Sequence, residues 1–408
     1  MSVDTLPQKV ESQAIVKEYV QRVRGGDLGA LPAIFGLVVL VGVFSVLRPI
    51  FFSPGNFANL LTQGAVYVVI AMGLIFVLLL GEIDLSAGFA SGVCAVVMSV
   101  TLVNVGVPWY VAILAAMATG VVIGLILGSL VAKLGIPSFV VTLAAFIAFQ
   151  GVVLLILGQG NIISVRDQTI FAISNKNLPP WLGWALAAAA VAGYAAVQLV
   201  QARNRSKRGL AIAPPLVIGG RVAAVALVIG LAVYVLNLDR GRAIPLMGVP
   251  IVVPVILFFL LLWTFVLRRT AFGRHIYAVG GNAEAARRAG IPVDRIKIAC
   301  FVICSFMASV GGVLAVSRAA SVDPNTGGSN VLLFSVGAAV IGGTSLFGGK
   351  GRALDAILGG AVVAVVENGM GLMGYGSGQK FVVTGSVLLL AASVDALSRK
   401  RAAATGHR

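Results

Sequence analysis

Apolar residues run through this chain in long blocks, at 31 to 50, 60 to 80, 85 to 103, 108 to 131, 136 to 158, 181 to 200, 222 to 238, 249 to 267, 297 to 317, 331 to 347, 353 to 370 and 380 to 397. Most are long enough for a helix rising about 1.5 Å per residue to cross a hydrocarbon layer of about 30 Å. The pattern predicts an all-α polytopic membrane protein with about twelve transmembrane helices, ten at the fewest. Two places are weak. The block at 331 to 347 is short and glycine-rich, and the blocks at 60 to 80 and 85 to 103 are separated by almost no loop. Either predicts a broken helix that does not cross fully. Ahead of the first block, Val10, Ile15, Val16, Tyr19, Val20 and Val23 fall near one side of a helix over 10 to 24. That face predicts a helix lying along the membrane surface.

Composition sharpens this picture. With 59% apolar and 11% charged residues and a mean hydropathy of +1.02, the chain is far from a soluble domain, whose charged share is nearer about a quarter. The net charge of +16 raises nucleic acid as a partner, but Lys and Arg lie in short runs between apolar blocks, the arrangement that sets membrane orientation. Nucleic acid is therefore excluded. Placing the N-terminus in the cytoplasm collects Lys133, Arg203, Arg205, Lys207, Arg208, the whole loop from 268 to 297, Lys350 and Arg352 on one side, so both termini are expected there. The first thirty residues lack the apolar core of a signal peptide. The expected organisation is a cytoplasmic segment over 1–30, a transmembrane region over 31–397 with a basic cytoplasmic loop at 268–297, and a cytoplasmic tail over 398–408. Cys94, Cys300 and Cys304 all sit inside apolar blocks and read as packing residues, with no metal implied.

The basic loop contains a short helix marked at both ends. Asn282 is placed to cap it, Glu284 lies in the first turn, Arg287 and Arg288 in the last, and Gly290 follows as the left-handed terminator. Ala283, Ala285, Ala286 and Ala289 fill the remainder. So short a helix is unstable alone and must dock, either on its own protein or on another.

Three further motifs stand out. In GEIDLSAG (Gly81 to Gly88), Glu82 and Asp84 are wedged between two blocks, with Asp84, Leu85 and Ser86 placed to cap the helix that follows. They line a path, or they are caps at the surface. GGTSLFGGKG (Gly342 to Gly351) fails as a phosphate loop, because Thr344 stands where the first glycine belongs and Gly351 follows Lys350. Gly342, Gly343, Gly348 and Gly349 instead predict a helix break. Gly120, Gly124 and Gly128 form a small-residue stripe, for tight packing within the chain or for a dimer seam. The pairing of 60 to 158 with 297 to 397 as an internal repeat is a further reading.

Gln63, Thr142, Gln150, Glu367, Asn368 and Thr384 are polar positions inside spans and either glue helices or line a wet path. No nucleophile, base and orienter set is present, so catalysis is not expected. The loop from Gly158 to Pro180 is long enough to receive an external partner or to serve as a plain connector.

Glu284, Ala285, Ala286 and Gly290 spell EAAxxxG, which resembles the motif of bacterial ABC importer permeases, although the Leu-Pro of the fullest pattern is missing after Ile296 and Ile298. Together with GEIDLSAG, the AVGGN segment at Ala278 to Asn282 and IGGTSLFGGKG, the chain resembles carbohydrate-uptake permeases of the ribose, galactose and xylose type. The two extra apolar segments and the NRSKRG run between 159 and 245 resemble the xylose-type branch. The resemblance implies an inner-membrane permease without its own ATP site, importing a monosaccharide such as xylose or another pentose. It implies a cytoplasmic ABC ATPase holding ATP and Mg, a periplasmic sugar-binding protein, a homodimer of permeases and surrounding membrane lipid. It also implies that residues 282 to 290 form the ATPase-coupling helix. Candidates for the path or gate are Glu82, Asp84, Ser86, Thr142, Gln150 and Asn368. Alternatives are a branched-chain amino acid permease of the same superfamily, a secondary sugar transporter, and a membrane scaffold that would leave EAAxxxG unexplained.

Overall fold

The computed structural model describes residues 31–158, 160–210, 214–241 and 245–404. The expected surface helix at 10 to 24, and with it the 1–30 segment, lies outside them. Each apolar block becomes one helix: α1 (Leu31–Leu47), α2 (Pro54–Leu79), α3 (Ala87–Val100), α4 (Trp109–Lys133), α5 (Ser138–Leu157), α7 (Pro180–Lys207), α8 (Pro215–Asn237), α9 (Val252–Arg269), α12 (Val293–Ala319), α13 (Ser329–Ile341), α14 (Ala353–Leu372) and α15 (Ser377–Ala404). Between them stand three short α-helices, α6 (Gln168–Asn175), α10 (Ala271–Gly281) and α11 (Ala283–Arg288), besides a 3-10 turn at Pro49–Phe52 and a π-helical turn at Thr101–Val105 that extends α3. Among the described residues, nine helices are long and apolar enough to cross a membrane, while α1 and the apolar part of α13 are shorter. At 13 residues, α13 spans only about 20 Å at the helical rise, so the break expected there is real. The last helix continues to Ala404, past the end expected at 397.

The chain divides into two units. The larger, built on the stretches up to Lys176 and Pro250–Asp395, is organised around α12, against which α2, α3 and α4 pack. The glycine stripe of α4 makes its approach possible. A Cβ at Gly120 would stand 2.6 Å from the Ser305 carbonyl, at Gly124 2.5 Å from the Val302 Cα, and at Gly128 2.9 Å from the Ile298 Cα. The stripe is thus a seam within the chain, as small residues in apolar surroundings permit.

The long loop after α5 is also built in. Asp167 caps α6 by accepting from Thr169 N and Ile170 N, each at 2.9 Å. The Ser317 hydroxyl near the end of α12 donates to the Ile170 carbonyl and accepts from Ser174 N at 2.9 Å. Strand β1 (Ile163–Ser164) pairs antiparallel with β2 (Ser321–Val322). These bonds satisfy the backbone of a segment that would otherwise need water.

Helix α3 begins opposite the middle of α12. A Cβ at Gly312 would lie 2.3 Å from the Ser91 carbonyl, and Cys304 Sγ donates to Asp84 Oδ2 at 3.4 Å. The non-helical stretch after α2 therefore descends into the interior. The segment leading to α13 turns back to the same depth, since a Cβ at Gly88 would stand 2.8 Å from the Gly327 carbonyl. Broken backbone of this kind is tolerated in a membrane only where protein surrounds it.

The smaller unit is built on Asn177–Val249, with α7 packed on α8. Gly248 closes its base, donating to the Leu236 carbonyl at 3.0 Å, and its φ of +101 needs glycine.

Candidate functional site

The marked helix in the basic loop forms as its signals predict. Asn282 ends α10, its N–H donating to the Ala278 carbonyl at 3.1 Å. It also opens α11, its Oδ1 accepting from Ala285 N at 2.9 Å. One residue therefore fixes the angle between the two helices. Gly290, at φ +82, donates to the Arg287 carbonyl, and Ile291 N–H reaches back to the Ala286 carbonyl at 3.1 Å. This is a glycine-terminated helix end. Ala286 is buried, whereas the side chains of Glu284, Arg287 and Arg288 are 63%, 62% and 80% exposed. The pairs Arg288–Glu284 at 3.3 Å and Arg287–Asp294 at 3.1 Å are too solvated to hold the helix firmly. Their value is a charged outward surface.

Beneath α11 three backbone segments meet with no side chains between them. Gly349 N–H donates to the Leu79 carbonyl at 2.9 Å. A Cβ at Gly280 would lie 1.7 Å from that same carbonyl, and one at Gly348 would lie 2.7 Å from the Gly280 carbonyl. Gly343, Gly348 and Gly349 have φ of +113, +86 and +72, which is why the 342–351 stretch breaks the helix. Gly342, at the end of α13, is needed for contact: its Cβ would stand 1.8 Å from the Asp355 carbonyl. The Tyr277 hydroxyl donates to the Gly351 carbonyl at 2.7 Å. Burial raises the pKa of this phenol above its usual value, keeping it a donor.

The stretch after α2 is tied to the same assembly. Lys297, in the first turns of α12, forms an ion pair with Glu82 at 2.5 Å, both largely buried with side chains 22% and 17% exposed. Ile83 N–H donates to Ser138 Oγ at 3.1 Å, and Thr142 Oγ1 donates to the Ile83 carbonyl at 3.2 Å. Asp84 is buried and accepts from Ser86 N at 2.8 Å and Ser86 Oγ at 2.6 Å. Helix α3 has Ser86 at its N-cap position, with no side-chain cap bond there. Asp84 thus closes the preceding turn, a correction to its expected capping place.

Glu82, Asp84, Ser86 and Thr142 therefore form one constellation, and two further candidates lie elsewhere. Gln150 is exposed on α5. Asn368 accepts from Asn56 Nδ2 at 2.9 Å and donates to Gln63 Oε1 at 3.3 Å, a helix-to-helix link between α2 and α14. Lys297, Ser138 and Cys304 are partners that sequence reasoning did not single out. Lys297 carried one usable signal, as the last cation of the basic loop.

A multi-pass membrane protein whose short capped helix lies beside a glycine-packed junction fits a permease-type transport component. The profile of the family described as "Branched-chain amino acid transport system / permease component" matches residues 56–392, and the chain belongs to that family. Among curated relatives, it is 35% identical over 352 residues to the xylose transport system permease protein XylH of Escherichia coli K12, covering 86% of this chain and 87% of the relative. It is 32% identical to XylH of Haemophilus influenzae, covering 90% and 96%, and 31% identical to the ribose import permease protein RbsC of E. coli K12, covering 89% and 92%. No solved structure matches.

Proposed function

We propose that this chain is the inner-membrane permease subunit of an ABC importer for a monosaccharide, xylose or another pentose. The observation that carries the coupling role is α11, a six-residue helix anchored by the buried Ala286 and presenting exposed charged side chains. A cytoplasmic ATPase carrying ATP and Mg docks on those charged side chains, and a periplasmic sugar-binding protein delivers substrate at the opposite end. The permease acts as a homodimer with both termini in the cytoplasm. The apposed starts of α3 and α13 support a two-half repeat. A cleft of about 230 Å³ lined by Leu260, Leu267, Leu354, Arg268 and Arg352 suits contact with membrane lipid.

Closure of the ATPases moves α11, and the tight turn at Gly290 to Pro292 passes that movement into α12. Lys297 carries it to Glu82, and the bonds from Ser138 and Thr142 to Ile83 hold the stretch that leads to Asp84 and α3. A push at the surface thus reaches the start of a buried helix through the Lys297–Glu82 pair and the bonds to Ile83. The sugar need bind the permease only weakly, because specificity resides in the delivering protein and tight binding would slow release.

The wording of the family description favours a second reading, a branched-chain amino acid substrate. The test is purification from the native membrane with identification of the ATPase and binding protein that accompany the chain, followed by the ligand of the latter. A binding protein that holds a pentose supports the proposal, and one that holds leucine sinks the sugar. Uptake in vesicles without any ATPase would instead identify a secondary transporter.

A further inference from the structure

Glu367 is an acid in α14, five residues before its end at Leu372, and the coupling route does not use it. Its Oε2 is closed off from solvent and lacks a hydrogen-bond partner among the described residues. An ionisable group inside a span is costly, and such residues characteristically mark ligand or ion routes. Helices α2 and α14 run close here, because a Cβ at Gly64 would stand 3.1 Å from the Ala364 Cβ. From α2 the Tyr67 phenol approaches the Glu367 carboxylate, with Arg318 of α12 acting on the same phenol. The Tyr67 ring meets Phe334 of α13 edge to face at 5.2 Å, and Phe334 meets Phe381 of α15 at 6.4 Å. Phe381 is 43% exposed, so this row of rings runs from the acid to an open surface.

A monosaccharide ring carries a girdle of hydroxyl donors and apolar C–H faces. A carboxylate oxygen without a donor accepts from such hydroxyls, and aromatic rings cover the C–H faces. We propose that Glu367, with Tyr67 and Phe381, is a contact station at which the permease itself touches the passing sugar. This rests on the monosaccharide reading and deepens it. Glu367 accepts from a sugar hydroxyl, the Tyr67 phenol fixes the carboxylate, and Phe381 guides the ring. A single carboxylate and a few rings hold the sugar loosely, as transit requires.

The experiment uses the complete transporter, permease with its ATPase and binding protein, in sealed vesicles. Initial uptake of xylose and of its monodeoxy analogues is compared for the native chain, Glu367→Ala, Glu367→Gln and Phe381→Ala. Xylose uptake at subsaturating concentration is expected to fall by about tenfold for Glu367→Ala, the loss of a hydrogen bond to a charged group. The native preference for xylose over one deoxy analogue is expected to narrow in both Glu367 variants, since that analogue already lacks the donor. Comparison with the native chain cancels the selectivity of the binding protein. Unchanged preference, or equal loss for every analogue, would overturn the assignment. If the Glu367 variants fail to insert, Phe381→Ala decides, because it trims an exposed ring, and native uptake by it would be equally fatal. A native transporter that moves leucine and no sugar would show that the monosaccharide reading itself had failed.

Discussion

At the residue scale, the Glu82–Lys297 pair joins positions 215 residues apart and links the capped loop to the interior. Truncating one member of a largely buried ion pair leaves the other uncompensated, at a cost of about 1–3 kcal/mol. On the proposed function, Glu82→Gln is therefore expected to lower substrate moved per ATP hydrolysed, while the double exchange Glu82→Lys with Lys297→Glu restores it. Measuring both rates in one vesicle preparation checks this, and a fully coupled Glu82→Gln would remove the pair from the route. Gly280 shows the opposite kind of constraint, set by backbone rather than by charge: with the Leu79 carbonyl 1.7 Å from where a Cβ would be, no side chain fits without parting α2 from α10.

At the scale of elements, α11 is short because Asn282 and Gly290 mark its ends, and it is stable because Ala286 docks. The two substitutions of Gly290 separate strain from geometry. Nothing lies within 4 Å of a Cβ there, so Gly290→Ala meets only the left-handed backbone penalty of about 1–2 kcal/mol. Gly290→Pro forbids the positive φ and removes the N–H that bonds to Arg287. The alanine variant is expected to retain most uptake, and the proline variant to insert normally yet lose uptake while ATP hydrolysis continues. Normal uptake by the proline variant would refute a coupling role for α11.

At the scale of the molecule, α12 orders everything by depth. Gly128 of α4 packs on Ile298 near its start, which puts Lys133 toward the α11 end. Arg166 follows β1, which pairs with β2 just beyond the other end of α12. Both residues are exposed. On the proposed topology, an impermeant thiol reagent added to spheroplasts should label Arg166→Cys and should reach Lys133→Cys only after the membrane is opened. Labelling of both from outside would invalidate the assignment of sides.

Some of this was legible in sequence because its causes are local. Twelve apolar blocks became twelve helices, since length and apolarity are properties of each block alone. The ends of α11 followed from Asn282 and Gly290, because capping acts within one turn. Gly343, Gly348 and Gly349 broke a helix because their positive φ excludes most other residues, whereas Gly342 keeps a helical backbone and serves close contact. What the sequence left open needed distant segments. The α4 glycines had two readings until α12 was found against them. Thr142 joined Glu82 and Asp84, whereas Gln150 and Asn368, equally polar and equally placed in spans, did not. Lys297 gave little sign of its partner. Depth was the largest of these decisions: Asp84 lies opposite the middle of α12 because the chain after α2 descends unwound, and only surrounding helices can supply the shelter such backbone requires.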